Sequence, residues 1–153
     1  MQIAEIFESV QGEGPWAGTQ SLFIRTSGCN LRCWFCDTPY TSWKPEGTAW
    51  TLAELCHRIA ESSAPDVVLT GGEPMLVPDL VPLSEYCKSL GKRITVETAG
   101  TVDLPVTADL MAISPKLSNS SPDDASWRQR HESSRFRPDV IRALTSRYEC
   151  ILK

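Results

Sequence analysis

Hydrophobic and polar positions follow two different periods along this chain, and segments of the two kinds alternate. Short apolar runs of strand length stand at 22–27 and 67–69. Longer segments with apolar residues three and four positions apart, typical of helices, stand at 51–63 and 80–90. We therefore predict strands at 3–10, 22–27, 67–69, 93–98, 109–113 and 148–152, and helices at 51–63, 80–90 and 139–146.

The first two predicted helices have recognisable ends. Thr51, followed three residues later by Glu54, forms a capping box, and Asp79 and Gly91 are expected to cap and to stop the second helix. The apolar faces expected to point inward consist of Leu52, Leu55, Cys56, Ile59 and Ala60 in the first helix, and of Leu80, Leu83, Cys87 and Leu90 in the second.

This order of elements predicts an α/β fold with a parallel sheet and with helices packed outside it. A right-handed βα array of this kind can curl into an open, partial barrel. Ligands of such sheets bind at the carboxyl ends of the strands. The length of 153 residues fits a single domain over 1–153.

Composition narrows the classes of function. No stretch approaches the ~20 apolar residues of a membrane span. The formal net charge of −4 gives no sign of a nucleic-acid partner. The first residues lack the basic and apolar regions of a secretory signal, so the expected location is a reducing cytoplasm. In that compartment, clustered cysteines more often bind metal or take part in catalysis than form disulfides.

Three cysteines follow Gly28 in a C-x3-C-x2-C pattern, at Cys29, Cys33 and Cys36. Thiolates this close together can bind one compact centre. Three of them leave one iron of an iron–sulfur cluster open, whereas four would close the cluster. The pattern therefore indicates chemistry at an open iron.

Two other interpretations of the cysteines remain. A structural zinc site usually needs four ligands, and the nearest histidine is the distant His57. The six cysteines could also form disulfides, although the absence of a secretory signal disfavours this. Cys56, Cys87 and Cys150 fall in apolar patterns and are expected to be small buried residues.

The cysteine loop, with Phe35 inside it, resembles the cluster loop of the radical S-adenosylmethionine (SAM) superfamily. A second motif of that superfamily, Thr70-Gly71-Gly72-Glu73-Pro74, follows the strand at 67–69. The resemblance implies a 4Fe-4S cluster and SAM as cofactors, in a partial barrel of the radical SAM type. The residues that it assigns to SAM are Phe35, Cys36, Asp37, Gly72, Glu73, Ser114, Pro115 and Lys116.

A narrower resemblance, to the 7-carboxy-7-deazaguanine synthases, rests on blocks along the whole chain. These blocks are Gln11-Gly12-Glu13-Gly14, Phe23-Ile24-Arg25, Cys36-Asp37-Thr38, Glu97-Thr98-Ala99-Gly100-Thr101 and Ser114-Pro115-Lys116. The resemblance implies a lyase that contracts the ring of 6-carboxy-5,6,7,8-tetrahydropterin, releases ammonia and serves queuosine biosynthesis. An adenosyl radical would abstract a hydrogen from the substrate and be regenerated afterwards.

The same resemblance assigns further residues. Thr38 matches the position whose hydroxyl coordinates Mg²⁺, and Glu97 and Glu13 could serve either the site or the structure. It also implies an electron donor such as flavodoxin or ferredoxin, and a homodimer. The residues that it assigns to the pterin are Val10, Gln11, Gly12, Arg25 and Thr70.

Two features depart from the simple pattern. Residues 114–137 are polar, so we predict a solvated loop that contains His131 and could cover the site. The sequence stops inside the predicted last strand, whereas members of the family usually continue with a helix and a strand. The expectation is that the C-terminal part of the usual domain is missing.

Two other functions stay open on this sequence. One is a different small radical SAM enzyme, such as a glycyl-radical activase, which would share the cysteine and glycine motifs. The other is a non-catalytic, truncated paralogue that binds a cluster or SAM.

Overall fold

The computed structural model describes every residue from Met1 to Lys153. Seven strands form one sheet, as the alternating pattern predicted, apart from a short strand that the sequence did not reveal. The strands are β1 (Gln2–Val10), β2 (Gln20–Thr26), β3 (Thr48–Ala49), β4 (Asp66–Gly71), β5 (Arg93–Thr98), β6 (Leu110–Ile113) and β7 (Cys150–Leu152).

The strand order is β3-β1-β2-β4-β5-β6-β7, so the sheet is open and has two free edges. Every neighbouring pair from β2 to β7 is parallel. The prediction of a parallel sheet is wrong for β1, which runs antiparallel to both β2 and β3. Residues 11–19 are too short a connection for a crossover, and therefore β1 and β2 pair as a hairpin.

Five helices accompany the sheet, and none of them is long and apolar enough to cross a membrane. Two further segments, 74–76 and 118–120, form single turns of 3-10 helix. The helices are α1 (Pro39–Ser42), α2 (Leu52–Glu61), α3 (Leu80–Ser89), α4 (Ala125–Ser134) and α5 (Pro138–Arg147).

The predicted ends of α2 and α3 are largely confirmed. The Thr51 hydroxyl accepts a hydrogen bond from the Glu54 amide, and the Glu54 carboxylate accepts one from the Thr51 amide. Gly91 ends α3 with φ of +72°, a value that favours glycine. Asp79 precedes α3, but its side chain makes no capping hydrogen bond.

Helices α2, α3 and α5 pack on one face of the sheet and bury the main hydrophobic core. Two residues predicted to point inward, Ala60 and Leu90, are exposed, and both lie at the carboxyl end of their helix. Cys87 is buried as predicted, whereas Cys56 and Cys150 are only half-buried. The core is built from Leu22, Ile24, Leu55, Ile59, Val67, Leu69, Leu80, Leu83, Ile94, Val96, Met111, Ile113, Val140 and Leu144, among others.

The opposite face of the sheet is partly covered by the loop over residues 11–18, which we call the 11–18 loop. Gly14 has φ of +72°, a value that favours glycine, and a Cβ there would lie 3.1 Å from the Ile151 side chain and 3.5 Å from that of Leu110. Trp16 from the same loop lies under the guanidinium of Arg93, 5.0 Å from its ring centroid. The loop therefore covers the amino-terminal side of this face through Gly14 and Trp16, while Glu13 reaches the carboxyl end of β7.

Residues 114–137 are not the solvated loop that the sequence predicts. Asp124 caps α4 by accepting hydrogen bonds from the amides of Ser126 and Trp127. His131, on α4, is fully buried. The hydrophobic pattern does not reveal this helix because the side chain that it buries is a histidine rather than an apolar residue.

Replacing Leu69 with alanine is expected to lower the free energy of unfolding by about 2–5 kcal/mol, because the side chain is fully buried in the central strand β4. Leu90→Ala is the matched control, since Leu90 is 42% exposed. Denaturant unfolding followed by circular dichroism measures both. Equal losses for the two variants would contradict this description of the core.

Candidate active site

The polar side chains of three neighbouring strands meet at one level on the face of the sheet opposite the main core. Arg25 of β2 pairs in register with Thr70 of β4, and Glu97 of β5 pairs with Ala112 of β6. The Thr70 hydroxyl donates a 2.9 Å hydrogen bond to the Glu97 carboxylate. This row lies at the carboxyl ends of the parallel strands, where the fold predicts a ligand.

All three cysteines of the C-x3-C-x2-C loop line one cavity of about 200 Å³ beside this row. The cavity is also bounded by Gly71 and Gly72, at the end of β4, and we call the Gly71–Pro74 segment the glycine turn. Its remaining lining includes Leu31, Phe35, Asp37, Thr38, Ser42, Ala99 and Lys116. The structure therefore brings together the two motifs that the sequence places one βα unit apart.

Two of the three thiols in this cavity are largely shielded from water, and the third contacts polar groups. Burial raises the pKa of Cys29 to about 12, and burial also raises the pKa of Cys33. Cys36 contacts two hydroxyls, with its Sγ 3.2 Å from Ser42 Oγ and 3.8 Å from Thr38 Oγ1. Because metal ligation requires thiolates, assembly of a centre here would release protons.

The arrangement fits an iron–sulfur cluster. No three Cys, His, Asp or Glu side chains are gathered closely enough to hold a single metal ion. In a cluster each thiolate binds a different iron, so its ligands surround a volume rather than one point. Three thiols around one cavity, with no fourth cysteine among its lining residues, match a cluster with one open iron.

The glycine turn is pressed against the cysteine loop, and its glycines are required there. A Cβ at Gly72 would lie 2.3 Å from the carbonyl oxygen of Gly28 and 2.7 Å from that of Thr41. Gly71 has φ of +152°, and a Cβ there would lie 2.4 Å from the Thr26 carbonyl oxygen. The two backbones are joined by a 2.9 Å hydrogen bond from the Glu73 amide to the Gly28 carbonyl.

Glu73 is fully buried behind the turn. Its carboxylate accepts hydrogen bonds from the Thr98 hydroxyl and from the amides of Ala99 and Met75, at 2.7–3.1 Å. Burial raises the pKa of this carboxyl, and the three donors act in the opposite direction. Glu73 thus ties the turn to the end of β5. Direct contact with the SAM amine stays a prediction, and Oε2, which accepts a single hydrogen bond, has room for a further donor.

A second, more polar cavity of about 390 Å³ adjoins the first. The two cavities share Asp37, Thr38, Gly71, Gly72, Ala99 and Lys116. The second one adds Glu13, Arg25, Thr70, Glu97, Thr98, Ala112, Ser114 and Lys153.

Arg25 is oriented by a carboxylate from the neighbouring strand. Its Nε donates a 2.7 Å hydrogen bond to Glu5, which also accepts one from the Tyr40 hydroxyl at 2.8 Å. The guanidinium lies 5.9 Å from the centroid of the Phe7 ring. Since Nε is engaged, the terminal N–H groups are the ones available to a ligand.

Asp37 and Thr38 stand at the junction of the two cavities. The Thr38 hydroxyl donates a 3.3 Å hydrogen bond to the Asp37 carboxylate. Thr38 lies just before α1 and does not cap it through its side chain. Both side chains present oxygen atoms, which are the ligands that Mg²⁺ prefers.

Several residues assigned from the resemblance do not line either cavity. Val10, at the end of β1, is 55% exposed, and Gln11 is buried where its backbone closes the loop against Thr19 and Gly18. Gly12 and Pro115 are also absent from both linings. Contacts of these four residues with pterin or SAM stay predictions.

The sequence did not single out Lys153 or Ser42, which the structure places in the site. Lys153 directly follows β7, so its position at the carboxyl end of a predicted strand was an available signal. Its Nζ pairs with the Glu13 carboxylate from the 11–18 loop. Ser42 lies on α1, a helix too short to show a hydrophobic period.

Gly72→Ala is expected to lower the free energy of unfolding by about 1–3 kcal/mol, because its Cβ would overlap two backbone carbonyls. Gly12→Ala is the control: a Cβ there meets nothing within 4 Å, so we expect a change below about 1 kcal/mol. Denaturant unfolding of the metal-free protein compares them. A harmless Gly72→Ala would contradict the close contact of the two backbones.

The comparisons with known proteins agree with this geometry. The family model of the radical SAM superfamily matches residues 23–125, which include the three cysteines and the glycine turn. A 7-carboxy-7-deazaguanine synthase from Rhodopirellula baltica is 57% identical over 121 residues, which is 79% of this chain and 47% of that protein. One from Halobacterium salinarum is 43% identical over 161 residues, which is 100% of this chain and 63% of that protein.

The chain thus spans about half to two thirds of the length of these relatives. Among solved structures, the crystal structure of QueE from Escherichia coli superposes with a TM-score of 0.66 at 22% identity, covering 99% of this chain and 93% of that one. That likeness supports the fold. The residues that match the family model include both the cysteine loop and the glycine turn. The chain belongs to the radical SAM superfamily.

Proposed function

We propose that this chain is a ring-contracting lyase that converts 6-carboxy-5,6,7,8-tetrahydropterin into 7-carboxy-7-deazaguanine and ammonia, a step of queuosine biosynthesis. The observation that carries the proposal is the pair of adjoining cavities, one lined by three thiols and the other by Arg25, Thr70 and Glu97. The relatives named 7-carboxy-7-deazaguanine synthase support the choice of reaction.

The three-thiol cavity is assigned to the 4Fe-4S cluster, bound by Cys29, Cys33 and Cys36. When bound there, the cluster and SAM would supply a carbon radical able to abstract a hydrogen from the substrate. The protein itself would position the cofactor and enclose it. Gly72 allows the backbone to approach the cofactor, and Phe35 forms part of the same lining.

The polar cavity is assigned to the pterin. Arg25 would bind the substrate carboxylate through its free terminal N–H groups, and Glu5 and Tyr40 hold the guanidinium in place. Thr70 and Glu97 offer a hydroxyl and a carboxylate to the ring edge. Lys116 lines both cavities and accompanies Ser114, to which its Nζ donates a 2.7 Å hydrogen bond.

Mg²⁺ is assigned to the junction of the cavities, with Thr38 as a ligand. A hard cation there could bridge a protein oxygen and the substrate carboxylate. The proposal also includes a low-potential electron donor such as flavodoxin or ferredoxin, a homodimer and a cytoplasmic location, as the family resemblance implies.

The direct test is an anaerobic assay. Protein reconstituted with iron and sulfide is reduced and given SAM, Mg²⁺ and 6-carboxytetrahydropterin, and the products are followed by mass spectrometry. We expect 7-carboxy-7-deazaguanine in excess over the SAM consumed. Deoxyadenosine without the deazaguanine would indicate a different substrate, and neither product from cluster-loaded protein would indicate a non-catalytic paralogue.

Arg25→Lys is expected to raise KM for the carboxypterin by about 10- to 100-fold, since lysine keeps the charge and loses the fork that a carboxylate fits. Arg142→Lys, an exposed change on α5, is the matched control and should leave KM unaltered. Steady-state kinetics on both variants make the comparison. An unchanged KM for Arg25→Lys would exclude this residue as the carboxylate partner.

A further inference from the structure

Arg32, within the cysteine loop, is buried without a carboxylate partner. The residue is only 8% exposed, yet it takes part in none of the ion pairs of the structure. Buried arginines are almost always paired, because an uncompensated charge in a protein interior is costly. The anionic partner of Arg32 is therefore to be sought among groups that the protein binds.

The guanidinium is held where it faces the cysteine loop. Its Nη1 donates hydrogen bonds to the carbonyl oxygens of Cys29 and Leu31, at 2.8 and 2.7 Å. Its Cζ lies 3.9 Å from the centroid of the Trp127 ring on α4. A cation over an aromatic face keeps its charge while it is shielded from water. Arg130 lies over the same ring at 5.0 Å and is exposed.

His131 on α4 fixes the backbone of the same residue. Its Nδ1 accepts a 3.1 Å hydrogen bond from the Arg32 amide, so this nitrogen carries no proton. Ser120 Oγ donates to the Leu117 carbonyl and therefore accepts from His131 Nε2, at 3.0 Å. The histidine is thus neutral, in agreement with the burial that lowers its pKa.

A third contact joins the residues just before α4 to the cysteine loop. The Trp34 amide donates to the Ser120 carbonyl, and the Trp34 indole donates to the Asn119 carbonyl at 2.7 Å. Residues 117–134 thereby hold both Arg32 and Trp34, on either side of Cys33. We call this segment the clasp.

We propose that Arg32, held by the clasp, supplies a buried positive charge beside the iron–sulfur cluster and makes the cluster easier to reduce. The inference rests on the cluster of the proposed function. A cluster bound by three thiolates becomes more negative when it accepts one electron from an external low-potential donor, and a nearby cation stabilises the reduced form. Arg32 itself exchanges neither an electron nor a proton in that step.

His131 and Trp127 are positioning residues in this proposal, because they act on the cluster through Arg32. Two properties follow from the structure. The reduction potential should depend on the charge at position 32. The accessibility of Cys33 should depend on the hydrogen bond that His131 accepts.

The first experiment measures the cluster potential by a redox titration followed by electron paramagnetic resonance, without SAM or substrate. Arg32→Gln is expected to shift the potential to more negative values, whereas Arg32→Lys, which keeps the charge, should stay close to the unmodified protein. Arg128→Gln removes the same charge from an exposed position on α4. It is the control and should leave the potential unchanged. Equal shifts for Arg32→Lys and Arg32→Gln, or an equal shift for Arg128→Gln, would overturn the proposal.

The second experiment uses metal-free protein and needs no cluster. His131→Leu should raise the rate of Cys33 alkylation by at least about fivefold, because the Arg32 amide loses its acceptor. His131→Asn keeps an oxygen near the position of Nδ1 and should restore slow alkylation. Cys87, buried in the distant core, reports global unfolding, so it should react equally slowly in all variants. Equal Cys33 rates for His131→Leu and the unmodified protein would overturn the positioning role.

The outcomes also separate this proposal from the proposed function. Protein that binds a cluster and shows the Arg32 shift, but makes no 7-carboxy-7-deazaguanine, would overturn the substrate assignment alone. Protein that cannot take up a cluster would overturn both.

Discussion

The contact between two backbones, at Gly28 and at Gly72, determines the geometry of the whole site. The Gly28 amide donates to the Thr41 carbonyl and the Gly28 carbonyl accepts from the Glu73 amide, at 2.8 and 2.9 Å. A loop that carries metal ligands has no regular secondary structure of its own, so its conformation must come from its neighbours. Here the neighbour is a turn that extends directly from the central strand β4, and buried Glu73 fixes that turn to β5. The rigidity of the sheet is thereby transmitted to the three thiols.

The formal charges of the site balance, although the chain as a whole is acidic, with a formal net charge of −4. The lining of the polar cavity includes three cations and three carboxylates, namely Arg25, Lys116 and Lys153, and Glu13, Asp37 and Glu97. Arg25 and Lys153 are moreover paired, with Glu5 and Glu13 respectively. The cavity therefore has no net positive field, and binding of an anion depends on the placement of individual cations, such as the guanidinium of Arg25.

The local signals in the sequence were sufficient for most of the fold and for the central motifs. Thr51 and Glu54 form the capping box that their spacing predicts, and the C-x3-C-x2-C loop meets the glycine turn as the βα order requires. The strand β1 was predicted, but its antiparallel direction was not, and the helix α4 was not predicted at all. The direction of β1 depends on the length of a loop rather than on side-chain pattern, and α4 is held by contacts from His131 to a residue 99 positions away. Contacts of that kind leave no periodic trace in a sequence.

The 11–18 loop has a consequence for how the chain folds. Gly14 packs against Ile151, and Glu13 pairs with Lys153, so this loop joins the first hairpin to the last strand. Such contacts close the longest loops of the chain and therefore carry the largest entropic cost of formation. Pairing of the parallel strands between them shortens the segment that remains to be closed, so we expect these contacts to form late in folding. The polar cavity, which contains both Glu13 and Lys153, is then completed only when the rest of the sheet is already in place.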